Sequence, residues 1–440
     1  MYSLSSRGQT TLTVVAVGEA ETEKEKIGFM LPDTSILNAK QTKQLKDIVG
    51  VLQSDFDFYR DLFDVEKTTI RSAAEFTGKY FVETSLTAQG DQILLKSVLK
   101  DKSAKKVVYE ESRKIRFKEI RTFAHELSHN LYRALTGKAS IFKTKIIFVS
   151  DRTSTRKDAK KEIYMMDFDG LNKKRITWLN SMIIAPAISP DKSKIVFTII
   201  ESKWKKASSG KGVQKIKNLN LHMLDIAKKK MTLISDVKGI NSGAIFDKEG
   251  ENIFLTLSYQ KNADIYKMNL KTLNKTRVTG HYADDVDPHI NASGDLLTFL
   301  SGRPGKAMIY TMDPSKVEKD VKRISYVGKF NASPRFNPAG TEITFSSWVD
   351  NRFDIYRIDS NGTNLVRLTK NFGSNEEPWF SPDGQFIVFT SQRVITRKKA
   401  VQDVYIMNRD GEIIRKITEN YGKVFTPRWT NKSKLNRFCG

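Results

Sequence analysis

The stretch RTFAHELSHNLYRALTG, residues 121–137, contains the HExxH arrangement of zinc peptidases. On such a helix His125 and His129 would bind Zn²⁺ from one side, and Glu126 would act as the general base that activates a water molecule. The first question that the sequence raises is therefore whether the chain is a zinc hydrolase.

A zinc site of this kind also needs a third protein ligand. The metzincin continuation would place glycine at position 132 and histidine at position 135, where the chain has Tyr132 and Leu135. The next glutamate along the chain, Glu162, lies in a segment with a strand pattern. We interpret the motif as a coincidence and predict no catalytic residue, no metal and no cofactor. A zinc-dependent hydrolase remains the alternative.

Helical geometry supports this interpretation. At 100° per residue the apolar side chains fall within about 60° of one direction, whereas His125, Glu126 and His129 lie roughly 120–180° away. We expect the apolar stripe to dock on a sheet and the three motif residues to lie on a solvated polar face. The stripe consists of Phe117, Ile120, Phe123, Ala124, Leu127, Leu131, Ala134 and Leu135.

The chain of 440 residues has a formal net charge of +24 and a single cysteine, Cys439. Its length favours two domains, or one domain with a repeat array. A field of this size attracts anionic partners. The basic tracts SKWKKASSGKGVQKIK, AKKK and TRKK are spread over separate segments, however, so we favour a solvated surface and expect no nucleic acid. Binding of anionic polymers is a further alternative.

Membrane and export signals are not visible in the sequence. No apolar run approaches the roughly 20 residues of a membrane helix. Residues 11–17, TLTVVAV, alternate in the manner of an opening strand rather than a signal-peptide core. We expect a soluble chain.

A repeat fills the C-terminal two thirds of the chain. Clear copies are APAISPDKSKIVFT, SPRFNPAGTEITFSS and EPWFSPDGQFIVFTS, and three weaker copies share their register. Equivalent anchor residues follow one another at steps of 58, 44, 46, 44 and 49 residues, which is the size of a propeller blade. The anchors are Pro186, Ala244, Pro288, Pro334, Pro378 and Pro427.

Each copy predicts four short strands. The anchor precedes an apolar residue and a turn, an alternating strand such as FIVFT follows, and then come segments such as IYRID and VRLT. The last copy has little beyond its first strand, while KIIFVS at Lys145 is a second strand without a first. We expect these two fragments to complete one blade and to close a six-bladed β-propeller.

The segment before the repeat has a different pattern. IGFML, YFVETSL, QILLKSVLK and KVVYEESRK read as strands, whereas ILNAKQTKQLKDIVGVLQ, KTTIRSAAEFTG and the HELSH segment read as helices. Ser35 is a plausible helix cap. The predicted organisation is a flexible segment at residues 1–10, an α/β domain at 11–138 and an all-β propeller at 139–440.

The repeat, preceded by LTGKASIFKTKIIFVSD, resembles the TolB family, periplasmic propeller proteins of the bacterial Tol-Pal system. The resemblance runs from Thr11 to the C-terminus. It implies a monomeric periplasmic adaptor that binds a Pal-like peptidoglycan-associated lipoprotein through the propeller funnel and a TolA-like protein through the N-terminal segment, in support of envelope integrity and cell division. Prolyl oligopeptidase-type enzymes use similar blades, but their G-x-S-x-G elbow is missing here.

The loops from each fourth strand to the next first strand should converge on one face and build a concave site. Their acidic residues are more typical of turn caps or a binding rim than of acid–base catalysis. Their aromatic residues could anchor a partner or pack between blades, and both readings stay open. The predicted partner-binding residues are Tyr282, Asp284, Asp285, Asp287, Phe330, Asn375, Glu376, Glu377, Tyr421 and Phe425.

Overall fold

The computed structural model describes residues 23–30, 38–68, 70, 72–89, 92–206, 213–260, 262–396 and 399–430. The chain divides after Gly137 into an N-terminal unit and a propeller unit. The segment expected at residues 1–10, the opening strand at 11–17 and the Ser35 cap lie outside the described residues.

The N-terminal unit has a five-stranded sheet in the order β2-β1-β3-β4-β5. β1 pairs with β2 and β3 in parallel, and the remaining pairs are antiparallel. The strands are β1 (Glu25–Phe29), β2 (Phe63–Val65), β3 (Tyr80–Gln89), β4 (Gln92–Asp101) and β5 (Lys106–Arg116), and the helices are α1 (Ala39–Phe56) and α2 (Ile120–Thr136). The α/β domain is confirmed. Neither described helix is long and apolar enough to cross a bilayer.

The helix predicted for residues 67–78 is wrong. The described part of this segment has a bridge between Met30 and Ile70, followed by turns. The β-branched run at its start disfavours a helix. Ile70 and Phe76 are instead buried in a small cluster with Phe81 of β3.

The propeller unit has six four-stranded antiparallel sheets. Blade 1 is β9 (Met182–Ile188), β10 (Lys194–Lys206), β11 (Val213–Asp225) and β12 (Lys230–Ser235). Blade 2 is β13 (Asn241–Phe246), β14 (Asn252–Gln260), β15 (Asn262–Asn269) and β16 (Lys275–Arg277). Blade 3 is β17 (Asp285–Ile290), β18 (Leu297–Ser301), β19 (Met308–Met312) and β20 (Lys322–Arg323). Blade 4 is β21 (Asn331–Phe336), β22 (Glu342–Val349), β23 (Arg352–Asp359) and β24 (Val366–Arg367). Blade 5 is β25 (Ser374–Phe380), β26 (Phe386–Thr396), β27 (Lys399–Asn408) and β28 (Ile413–Lys416).

The closing blade joins the two ends of the repeat. It consists of β29 (Val424–Thr430), β6 (Lys145–Ser150), β7 (Glu162–Asp167) and β8 (Lys174–Arg175). β29 pairs with β6 from Val424↔Ser150 to Thr430↔Lys145, and the buried indole of Trp429 donates a hydrogen bond to Thr144 at 2.7 Å. The predicted closed six-bladed propeller is therefore confirmed.

The tyrosine of the third strand stacks on an aromatic residue of the second strand in four blades. Ring centroids lie 5.7–6.0 Å apart for Phe148–Tyr164, Phe299–Tyr310, Phe345–Tyr356 and Phe389–Tyr405. Since paired residues of neighbouring strands point to the same side of a sheet, these rings form a layer in each blade. The repeated IY dipeptide thus serves the packing of the blades.

A carboxylate early in the third strand is tied to the fourth strand in several blades. In blade 4 the buried Asp354 accepts hydrogen bonds from Thr369 at 3.0 Å and from the guanidinium of Arg367. In the closing blade Glu162 accepts from Thr177 and Arg175 in the same way. Pairing satisfies the buried charge, and the repeated Arg/Lys-x-Thr pattern of the fourth strand follows from it.

Candidate interface at the propeller funnel

The first strand of every blade is the innermost, and all six enter from the same end of the propeller. This end, called the funnel face, carries the loops from each fourth strand to the next first strand. It also carries the connections between second and third strands, because antiparallel neighbours return to the end where the first strand began. The opposite face carries the remaining turns. The loops predicted to converge therefore do lie on one face.

The residue before each anchor has a left-handed backbone in all six blades. Its φ lies between 45° and 63°, and the pairing of first and second strands shifts register beside it. Such a bulge sets two residues against one and redirects their side chains. The six residues are Ala185, Gly243, Asp287, Ser333, Glu377 and Thr426.

Four side chains from four consecutive blades meet inside this ring. The guanidinium groups of Arg335 and Arg428 lie 5.6 and 4.7 Å from the ring centre of Trp379. His289 meets the same indole edge to face at 5.1 Å, and its Nδ1 accepts the N–H of Phe336 at 3.2 Å. Burial and both arginines hold the pKa of His289 well below its usual value. A neutral histidine and a cation–π stack therefore join blades 3 to 5 and the closing blade.

Two of the predicted carboxylates connect neighbouring blades. Asp287 accepts a hydrogen bond from Arg335 at 2.7 Å, and Glu377 accepts the backbone N–H of Thr426. Burial raises the pKa of Glu377, while Arg428 opposes the shift. These contacts are structural links within the ring.

Glu376 faces a less favourable environment. Burial, followed by the neighbouring charge of Glu377, raises its pKa to about 7, and a hydrogen bond with Ser374 opposes the shift. The side chain is only partly buried. It is therefore a carboxyl group near the funnel whose ionised form is disfavoured.

Asp285 and Asn375 lie at equivalent positions three residues before their anchors, and both are fully buried. Asp285 pairs with Arg303 at 3.1 Å, and Asn375 donates to Thr369 of the preceding blade at 3.2 Å. Burial raises the pKa of Asp285 to about 6. Neither side chain is accessible, so we leave both out of the candidate interface.

Tyr282 is 84% exposed and is the most exposed large hydrophobic side chain of the described residues. Its ring lies 4.1 Å from that of His281. In blade 3 the guanidinium of Arg303 covers Phe299 and Tyr310 at 5.6 and 5.4 Å. Tyr282 lies in solvent, next to the exposed Asp284.

The other predicted aromatic residues were expected either to anchor a partner or to pack between blades, and both situations are found. Tyr421 packs edge to face on Phe148 and Tyr164 at 5.8 and 5.3 Å, as the packing alternative expects. Phe330 is 38% exposed and stacks on Trp348 at 5.7 Å. Phe425 lies under the ammonium group of Lys161, 3.5 Å from its ring centre. Phe330 alone of these three has substantial exposed surface.

Two exposed aromatic residues of the funnel face were missed by the sequence analysis. Trp178 and Tyr326 are 65% and 71% exposed and lie beside Arg175 and Arg323, at 5.5 and 4.3 Å from the guanidinium carbons. The missed signal is their position directly after the Thr or Ser that ends the fourth-strand motif, in ITW and ISY. The candidate interface consists of Trp178, Tyr282, Tyr326, Phe330, Asp284 and Glu376.

The predicted solvent exposure of the HELSH histidines is wrong. His125 and His129 are 6% and 5% exposed. The apolar stripe of α2 is buried from Ile120 to Leu131 as expected, whereas Ala134 is exposed. The side expected to be polar is covered because α1 packs against α2.

Side chains of the HELSH motif have structural partners in the N-terminal unit. His125 Nδ1 lies 2.8 Å from a carboxylate oxygen of the buried Asp55 on α1. Glu126 pairs with Arg113 of β5, so a neighbouring cation neutralises its carboxylate. These contacts explain the residues through the packing of α2 on α1 and the sheet.

Comparisons with known proteins point in one direction. A family model described as the TolB β-propeller domain (PD40) matches residues 132–347 and 320–438. The Tol-Pal system protein TolB of Francisella tularensis subsp. tularensis is 27% identical over 321 residues, 71% of this chain and 69% of that protein. The protein TolB homolog of Chlorobium luteolum is 28% identical over 233 residues, 53% of this chain and 49% of that protein. The crystal structure of TolB from Acinetobacter baumannii has a TM-score of 0.74 at 22% identity, over 94% of this chain and 98% of that one, which shows a shared fold.

Proposed function

The chain belongs to the TolB β-propeller family, and from this premise we propose that it is a monomeric periplasmic adaptor that binds a Pal-like peptidoglycan-associated lipoprotein through its funnel face. It is a non-enzymatic propeller protein, as its family indicates. The observation that supports the proposed site is the set of exposed aromatic residues on this face, Trp178, Tyr282, Tyr326 and Phe330.

The proposal depends on the binding free energy that these aromatic side chains supply when a partner covers them. Large aromatic residues at the centre of an interface, with cations beside them, supply much of the binding free energy. Tyr326 and Trp178 already lie against Arg323 and Arg175, which lowers the entropy lost on binding. The Arg335–Trp379–Arg428 stack joins the first strands of three neighbouring blades, so the loops that carry these aromatic residues rise from a linked base.

Two parts of the proposal rest on the family resemblance. The N-terminal segment, residues 1–10, would bind a TolA-like inner-membrane protein, and the complex would serve envelope integrity and cell division. Neither role is argued from the funnel residues, and residues 1–10 are outside the described part of the chain. A chain without residues 1–10 should keep the lipoprotein and lose the TolA-like partner.

A capture experiment tests the funnel site. Immobilised chain is incubated with bacterial envelope extract at moderate salt, and retained proteins are identified by mass spectrometry. We expect a peptidoglycan-associated lipoprotein on the wild type and about tenfold less on the double variant Tyr282→Ala, Tyr326→Ala, because two interface aromatics are truncated.

The matched control is Leu171→Ala, Leu365→Ala. These side chains are 51% and 44% exposed and lie in turns of the opposite face. The control should retain the lipoprotein at the wild-type level. Equal capture by both variants would remove the funnel site, and failure of the wild type to capture such a lipoprotein would overturn the proposed partner.

A further inference from the structure

Two hairpins extend beyond the sheets on the funnel face. In blade 1 the pairing with β9 ends at Ile200↔Met182, yet β10 and β11 pair on for six residues, to Lys206↔Val213. In blade 5 the pairing with β25 ends at Gln392↔Ser374, and β26 continues to Thr396. At about 3.4 Å per residue the first hairpin projects roughly 20 Å.

These hairpins flank the closing blade and share a strongly basic character with it. The projecting part of β10 and β11 carries five lysines and one glutamate, at positions 203, 205, 206, 215, 217 and 201. The connection from β6 to β7, residues 151–161, carries five basic and two acidic residues. The blade 5 hairpin adds the exposed Arg393. These segments, residues 201–206 with 213–217, residues 151–161 and residues 393–395, are called the basic arc.

The opposite half of the funnel face carries fewer basic residues. Between β14 and β15 the sequence has the single residue Lys261, and the connection between β18 and β19 has Arg303 and Lys306. Arg303 is neutralised by Asp285 and Glu318. In blade 4 Asp350 pairs with Arg367, and Arg352 pairs with Asp354. The positive charge is therefore concentrated on one side of the rim.

An exposed aliphatic pair lies at the end of the arc. Val394 and Ile395 are 77% and 57% exposed on β26, directly after the exposed Arg393. Adjacent exposed aliphatic residues on a projecting hairpin lack the burial that such residues usually find. Cations beside a small apolar tip are typical of surfaces that enter the interfacial layer of a membrane.

We propose that the basic arc binds the surface of an anionic phospholipid bilayer, with Val394 and Ile395 inserted among the lipid headgroups. The negative surface potential of an anionic membrane attracts these basic side chains, and it acts within about 10 Å of the membrane. A polymer such as nucleic acid would satisfy the charges but would leave the aliphatic pair in water. The bilayer accounts for both observations and does not depend on the proposed lipoprotein partner.

Vesicle co-sedimentation tests this assignment. The full chain is mixed with vesicles of phosphatidylcholine alone or with phosphatidylglycerol, without any other protein. We expect binding only to the anionic vesicles, and a fall of more than about tenfold in the partition coefficient for Arg156→Glu, Lys157→Glu, Arg393→Glu. All three side chains are exposed.

The matched control carries the same charge change on the other side of the same face. Lys306→Glu, Lys329→Glu, Lys370→Glu alters three exposed lysines and should reduce binding by less than about threefold, since screening limits their reach. Val394→Ser, Ile395→Ser should weaken vesicle binding severalfold while heparin binding stays unchanged.

Three results would overturn the proposal. They are the absence of binding to anionic vesicles at low salt, equal losses in the two charge variants, and no effect of the aliphatic variant on vesicles. The last result, with retained heparin binding, would assign the arc to an anionic polymer.

Discussion

At the scale of single residues, Glu376 gives the funnel a measurable pH dependence. Its pKa rises from the usual 4.5 to about 7 in the folded chain because of burial and Glu377. Between these values the unfolded chain releases the proton while the folded chain retains it. The carboxyl group therefore lowers stability as pH rises from about 4.5 to 7.

We predict that Glu376→Gln raises the free energy of unfolding at pH 8 by about 1–3 kcal/mol and leaves it unchanged near pH 4. Urea denaturation at both pH values measures the difference. Glu249→Gln, in the exposed turn after β13, is the control and should show no such dependence. Equal stability of Glu376→Gln and wild type at pH 8 would show that the carboxylate is solvated.

The residue scale is also where sequence reasoning lost information. Helical spacing located the apolar stripe of α2 correctly, but it could not show that α1 buries the other side and that Asp55 receives His125. Asp285 and Asn375 likewise looked like rim residues, because a sequence does not tell which polar side chain of a loop turns inward to the preceding blade.

At the scale of elements, the tie between third and fourth strands is a repeated source of stability. We predict that Asp354→Ala lowers the free energy of unfolding by about 2–4 kcal/mol, because it leaves Thr369 and Arg367 without their buried acceptor. Asp350→Ala removes an exposed partner of the same Arg367, at 3.1 Å, and should cost less than about 1 kcal/mol. Chemical denaturation of both variants compares them; similar losses would contradict the account.

The strand β29, which closes the ring, is the second element on which the fold depends. Trp429 is 4% exposed in β29, so Trp429→Ala should lower the free energy of unfolding by about 3–5 kcal/mol. Trp178→Ala, at a 65% exposed site, is the control and should change it by less than about 0.5 kcal/mol. Thermal unfolding of the two variants measures this. A small loss for Trp429 would mean that the strand contributes little to closure.

Elements were predictable where the pattern repeats. Six copies of one strand pattern establish the blades and the shared last blade, since an error in one copy is corrected by the others. The N-terminal unit has no such redundancy, and the helix predicted around Ile70 is wrong because Ile70 and Phe76 are buried in a small cluster with Phe81 of β3.

At the scale of the molecule, closure brings distant segments together. The three basic connections are separated by about 50 and 180 residues in the chain, so they look scattered in the sequence. They become neighbours because the closing blade sits between blades 5 and 1. Charge asymmetry across the funnel face is therefore a property of the closed ring that composition alone does not reveal.

The measurement that tests the central claim most directly is hydrogen–deuterium exchange of the full chain with and without the purified soluble domain of a peptidoglycan-associated lipoprotein. We predict slower exchange in residues 278–284 and 324–330 of the funnel face, and unchanged exchange in the opposite turns at 169–173 and 360–365. Protection of the opposite turns, or no protection at saturating lipoprotein, would contradict the proposed adaptor site.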